Sequence, residues 1–228
     1  MKVLINCCPR SGTHYVVKIL KEYGLDFGHE NDAKHGMTNW FYTPELPDDS
    51  IVVQKKNFKL ITEPNGRQHV LKRPLHRNFQ LPTREFKSAY KNIHQVRHPL
   101  HCIISMHKVF PRNIEWATSF FPPIETQDKP KSLRRYMRMW YHWNLIGEEN
   151  SKWTYRVEGL VEDAVLNDFC KHFEITDKPK IEKIIAKTKT TVWRRKNLPT
   201  ITWDHMRKAD EDLTDEIITL ATKYGYEI

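Results

Sequence analysis

Residues Val3-Leu4-Ile5 form an apolar run, a turn follows over Cys7 to Gly12, and from Thr13 apolar residues recur at helical spacing. A strand, a tight turn and a helix start within fifteen residues commit the chain to an α/β beginning. A short continuous apolar run is what a strand covered on both faces needs. The turn reads Cys7-Cys8-Pro9-Arg10-Ser11-Gly12-Thr13-His14-Tyr15. Gly12 lets the backbone come close to a ligand, and the unpaired N–H groups of a helix start point at an anion. Arg10 adds a permanent positive charge, and Ser11 and Thr13 add hydroxyl donors. The expected ligand carries a phosphate. It is not held in the G-x-x-x-x-G-K-[ST] manner. Gly12 is followed by Thr13 and His14, so both the lysine that reaches terminal phosphates and the hydroxyl that holds Mg²⁺ are missing.

A second segment has the same strand-to-helix form. Asn92-Ile93-His94-Gln95-Val96 reads as a buried strand, and Arg97-His98-Pro99 leads into a helix that carries Ser105, eight residues beyond Arg97.

Pro9-Arg10-Ser11-Gly12-Thr13 resembles the Pro-Lys/Arg-Ser-Gly-Thr loop of the sulfotransferases that use 3′-phosphoadenosine 5′-phosphosulfate (PAPS). Arg97, Pro99 and Ser105 resemble that family's Arg-x-Pro-x-x-x-x-x-Ser segment, which binds the 3′-phosphate. Gly28-His29-Glu30 with Gly36 and Trp40 is similar to a stretch of some bacterial members. Tyr155-Arg156-Val157-Glu158 with Leu160 is similar to the later strand that ends beside the adenine. Trp193-Arg194-Arg195-Lys196 falls where the family has a basic loop over the 3′-phosphate, with Asn197 in place of the usual glycine.

The resemblance implies an α/β fold with a parallel central sheet flanked by helices, of the P-loop NTPase-like sulfotransferase kind. It implies transfer of a sulfuryl group from PAPS to a hydroxyl or amine, leaving 3′,5′-ADP, with no metal. It implies that Arg10, Ser11, Gly12, Thr13, His14 and Tyr15 surround the 5′-phosphosulfate, with Arg10 at the bridging oxygen. Arg97, Ser105, Arg195 and Lys196 would hold the 3′-phosphate, and Tyr155 would lie by the base. For the proton-abstracting group the family offers two patterns. One is a His in a Lys-Thr-His segment, broken here as Lys72-Arg73-Pro74 with His76 displaced. The other is a Glu after the first helix, matched by Glu30 with His29 beside it. Glu30 is the preferred base and His76 the alternative.

At 228 residues a single domain over 1–228 is expected. No apolar stretch approaches the ~20 residues of a membrane span. Four cysteines without C-x-x-C spacing predict neither zinc nor disulfides, and with no signal-peptide core they point to the cytoplasm. The net charge of +9 raises nucleic-acid binding, but the basic residues are scattered and no nucleic-acid motif accompanies them. The rival readings are a Mg²⁺-dependent kinase and a non-catalytic nucleotide- or nucleic-acid-binding protein.

Along the chain, the first helix is expected over Thr13–Glu22, buried strands over Ile51–Val53 and His69–Leu71, and a strand over Trp153–Val157. Residues 28–50 and 110–130 read as irregular segments shaping an acceptor pocket. Leu133, Met137, Trp140 and Asn144 recur at helical steps beside Tyr136, Trp143 and Ile146. That stripe reads as core rather than as an acceptor wall. Arg134, Arg135 and Arg138 read as its solvated face. Further helices are expected near 161–173, 178–188 and 210–224.

Overall fold

The computed structural model describes residues 2–56, 58–72, 80–108, 114–121, 132–176 and 200–228. Its central sheet has five strands: β1 (Lys2–Cys7), β2 (Phe27–His29), β3 (Gly36–Thr38), β7 (Tyr90–Val96) and β8 (Thr154–Arg156). They lie in the order β2-β3-β1-β7-β8, and every neighbouring pair is parallel. A separate antiparallel meander follows β3: β4 (Ile51–Gln54), β5 (Phe58–Thr62) and β6 (Gln68–Lys72). The helices are α1 (Thr13–Glu22), α2 (Arg84–Ser88), α3 (Pro99–Lys108), α4 (Ile114–Thr118), α5 (Leu133–Glu149), α6 (Asp163–His172), α7 (Trp203–Ala209) and α8 (Glu211–Lys223).

The apolar run of β1 divides by parity between two cores. Val3 and Ile5 face α1 and α6, joined there by Val16, Leu20, Ile93, Tyr155 and Phe169. Leu4 faces the opposite layer, where Cys102, Met106, Tyr136, Trp140, Trp143 and Ile217 bring together α3, α5 and α8. A strand whose alternate residues enter two cores must be apolar at successive positions, which is why the run shows no alternation. Tyr136, Trp140 and Trp143 are fully buried, so the aromatic stripe of α5 is core. Arg134 is not simply solvated: its Nε donates to Asp210 Oδ2 at 2.6 Å, tying α5 to the start of α8.

Two expectations are corrected. Residues 28–50 are not a loose cover. They contain part of β2, all of β3 and a short 3-10 turn, Trp40–Tyr42, whose three aromatics are buried. Ile51–Val53 is a strand, but an exposed one outside the parallel sheet. The expected helix near 178–188 lies outside the described residues.

The packing of α5 on the sheet depends on one close approach. A Cβ on Gly147 would come within 2.6 Å of the His94 ring on β7, so only glycine leaves room for the imidazole. His94 is fully buried, with Nε2 3.2 Å from Asn144 Oδ1 and Nδ1 3.3 Å from Thr154 Oγ1. A neutral ring fits both: Nε2–H donates to Asn144 and Nδ1 accepts from Thr154. Burial pushes the His94 pKa down to about 3, against a weaker upward pull from Asn144. Unfolded, the ring protonates from about 6.5. The stability it supplies is therefore full above that pH and is lost as pH falls toward about 3. Between pH 6 and 4 the wild type should lose about 1.4 kcal/mol per pH unit more than His94→Gln. Denaturant unfolding across that pH range measures the difference.

Candidate functional site

Successive connections leave β1 toward β2 and β7 toward β8, on opposite sides of the sheet. The carboxyl ends of β1 and β7 therefore flank the point where the winding reverses, the usual place for a ligand in an open parallel sheet. Both motif segments singled out in the sequence lie there: Cys8–Gly12 after β1, and Arg97 and His98 after β7.

The first loop turns on the bond from the Ser11 N–H to the Cys8 carbonyl, 3.2 Å. Gly12, at φ 91°, is the residue before α1, and no side chain caps that end. The position requires glycine for its left-handed backbone, because a Cβ there would find ordinary contact with Val157 at 3.4 Å. Arg10 is also left-handed, at φ 70°. Among the described residues only Arg10, Glu30 and Glu174 adopt positive φ without being glycine, and two of them border this edge. Such conformations cost of order 1–2 kcal/mol each and collect at functional sites.

Three successive loop carbonyls are held from one segment of the chain. Cys102 Sγ donates to the Pro9 carbonyl at 3.2 Å, Arg97 Nη1 to the Arg10 carbonyl at 2.8 Å, and Gln95 Nε2 to the Ser11 carbonyl at 2.6 Å. Gln95 is fully buried, and the Tyr155 hydroxyl donates to its Oε1 at 2.5 Å, which fixes which end of the amide faces Ser11. A peptide unit is planar and trans, so its C=O and N–H point opposite ways. Holding the Ser11 carbonyl toward Gln95 turns the Gly12 N–H away from it, beside the orphan N–H groups of Thr13 and His14 at the start of α1. This is how a run of amides becomes an anion cradle.

Ser11 and Tyr155 take parts different from those expected. Ser11 is buried, with its Oγ 3.8 Å from Cys102 Sγ, so its hydroxyl faces the interior and not a ligand. Tyr155 is the buried middle residue of β8, stacked on Trp153 at 4.9 Å and edge-on to Phe169 at 5.5 Å. It orients Gln95 and lines no open surface. The half-buried Tyr15 packs beside the α1 core, and burial raises its pKa to about 12.

Arg10 and Arg97 share one edge. Besides the bond from Arg97 to the Arg10 carbonyl, Arg10 Nε donates to Ser105 Oγ at 3.0 Å. Ser105 thus meets the arginine of the first motif, and the two motifs form one continuous basic border. Glu158 backs it. Its Oε1 accepts from the His98 N–H at 3.2 Å and lies 3.8 Å from Arg97 Nε, while the Tyr226 hydroxyl donates to its Oε2 at 2.8 Å. Burial alone pushes the Glu158 pKa up. The hydrogen bonds from His101, Tyr226 and its own backbone, with the Arg97 charge, outweigh burial and hold it below the usual carboxylate range.

On the other flank, Thr13 Oγ1 is 2.9 Å from His29 Nε2, and the His14 and His29 rings stack at 3.6 Å with planes 11° apart. Glu30, half-buried at φ 59°, follows directly, anchored by its N–H on the Thr38 carbonyl at 2.8 Å. Burial dominates the raised pKa of Cys7, at the end of β1, with Cys102 and then Glu30 adding to it. The structure therefore gathers Arg10, Gly12, Thr13, His14, His29, Glu30, Arg97 and Ser105. His76, Arg195 and Lys196 lie outside the described residues. No family model, curated protein or solved structure matches the chain.

Sequence reasoning gave no role to Gln95 or Tyr226, and quoted Glu158 only as part of the Tyr155–Glu158 segment. The signal available for Gln95 was a polar residue one place before the end of a strand read as buried. Gln95→Glu preserves volume but removes the donor, so the Ser11 carbonyl would face a carboxylate oxygen and turn away. Sulfate or phosphate binding at the loop, read by calorimetry, should weaken at least tenfold, as expected when a buried acceptor is left unsatisfied. Tyr155→Phe leaves the donor and should weaken binding less than Gln95→Glu.

Proposed function

We propose that the chain is a PAPS-dependent sulfotransferase acting on a hydroxyl or amine acceptor. The observation that carries this reading is the single border joining the Gly12 cradle to Arg10, Arg97 and Ser105, because a nucleotide with phosphates at both ends needs two anion-binding features within one ligand's length. The residues suit the donor chemically: orphan amides and a left-handed glycine for one phosphate group, guanidiniums for the rest. When bound, PAPS supplies an activated sulfuryl group and leaves as 3′,5′-ADP.

The chain's own residues then have distinct tasks. The amides of Gly12, Thr13 and His14 bind the 5′ end. Arg10, exchanging Ser105 for the ligand, stabilises the charge that develops on the departing phosphate. Arg97 and Ser105 bind the 3′-phosphate, Arg97 being kept in place by Glu158. Glu30 removes the acceptor proton, and the His29 ring, fixed by Thr13 and His14, lines the same approach.

Calorimetry without added Mg²⁺ should find 3′,5′-ADP binding well and ATP weakly. Arg97→Ala should lower 3′,5′-ADP affinity about 10- to 150-fold, the worth of a charged hydrogen bond. Equal affinity for wild type and variant would overturn the assignment of the 3′ site. In a transfer assay with labelled PAPS, Glu30→Gln should lower turnover by about 10²–10⁴-fold with nucleotide affinity nearly unchanged, as loss of a general base does.

A further inference from the structure

The antiparallel meander ends in an open edge. β4 pairs with β5 on one side, and among the described residues no strand pairs with the other. Its apolar residues are solvent-facing: Ile51 is 65% exposed, Val52 41% and Val53 40%. Three consecutive exposed branched residues on an edge strand are a ready template for another strand. The outward groups of that edge can be read from one bond. The Lys55 N–H donates to the Phe58 carbonyl at 2.8 Å. By antiparallel alternation Ile51 and Val53 then also face β5, while Val52 and Gln54 turn their N–H and C=O groups outward.

The flanking charges are ordered. The segment reads Asp49-Ser50-Ile51-Val52-Val53-Gln54-Lys55, acid, polar, three apolar, polar, base, and it is antisymmetric about Val52. Asp48, just before it, is engaged elsewhere, accepting the Glu85 N–H at 2.8 Å, whereas Asp49 and Lys55 stand exposed. Lysine on an edge strand ordinarily repels a second copy. An acid at the opposite end reverses that effect.

We propose that β4 pairs antiparallel with β4 of a second copy of this chain, about a two-fold axis at Val52. In that register Val52 meets Val52 of the second copy through their outward N–H and C=O groups. Ile51 faces Val53, Ser50 faces Gln54, and Asp49 faces Lys55, each pair occurring twice. Directly opposed residues share a sheet face, so Asp49, Ile51, Val53 and Lys55 form one cross-strand stripe with charges outside and branched apolar pairs inside. A one-residue slip sets Asp49 against Gln54 in one direction and against Lys56 in the other, but either slip opposes the outward groups of Val52 to the inward groups of Ile51 or Val53 and so breaks the ladder. The interface is isologous and joins two three-stranded sheets into one of six. A four-residue strand buries less than a standard interface, so the dimer is weak and concentration-dependent.

Sedimentation equilibrium of the full chain at low salt, over micromolar to submillimolar concentrations, tests this. The mass should rise from 27.3 kDa toward twice that value. Asp49→Lys and Lys55→Asp should each weaken association about two- to thirtyfold, through two exposed ion pairs per dimer. The double charge swap should restore it. Val52→Lys, which opposes two like charges at the axis, should abolish it, with far-UV circular dichroism unchanged. A wild type that stays monomeric overturns the proposal. So does a dimer indifferent to Val52→Lys, or a charge swap that fails to rescue.

Discussion

The site rests on the way one stretch of chain, Gln95 to Cys102, holds three consecutive carbonyls of the loop after β1. Cys102, Arg97 and Gln95 take the Pro9, Arg10 and Ser11 oxygens in turn. Because a peptide is rigid, holding the Ser11 carbonyl on Gln95 turns the Gly12 N–H the opposite way, while the Ser11 N–H is taken by the Cys8 carbonyl. The Gly12 N–H is thus oriented by buried neighbours. A preorganised site loses less entropy and less solvent reorganisation on binding than one assembled around its ligand.

That arrangement needs β1 and β7 side by side in parallel register, and the two-sided core supplies it. The register runs continuously from Lys2 opposite Tyr90 to Cys7 opposite Gln95. Gln95 therefore stands level with the residue that enters the loop, within reach of the Ser11 carbonyl. A slip of one residue would turn its side chain to the other face and leave a buried amide without partners. The register is fixed in turn by Ile5 and Ile93 in one core and Leu4 and Val96 in the other. The buried His94, packed on Gly147, locks α5 against the same strand.

The border also shows how opposite charge can organise a basic site without cancelling it. Glu158 lies behind Arg97, held by Tyr226 and the His98 amide, and directs the guanidinium toward the loop. Tyr226 comes from near the end of the chain, with its ring at 5.2 Å edge-on to His98. Residues distant in sequence thus share one small electrostatic assembly, and the meander joins the core through Ile61 and Leu71 while its β4 edge stays exposed.

The opening strand, turn and helix, the strand ending at Val96, the helix from Thr13 to Glu22 and the apolar face of α5 were all legible in the sequence. Each follows from local periodicity and from glycine's tolerance of positive φ at Gly12. The placement of both motif segments at strand-to-helix junctions was equally legible, because Gly12 and Pro99 punctuate the chain through local backbone geometry. Tertiary structure alone decided the rest. Ser11 turned inward and Tyr155 became a support for Gln95, since which face of a loop or strand is covered depends on elements far away in the chain. It also decided that Arg10, not Arg97, reaches Ser105, and that Glu158 and Tyr226 belong to the border. Local pattern fixes what a segment can form. Which side chains meet is set by long-range packing, register and burial, and the local pattern does not encode those.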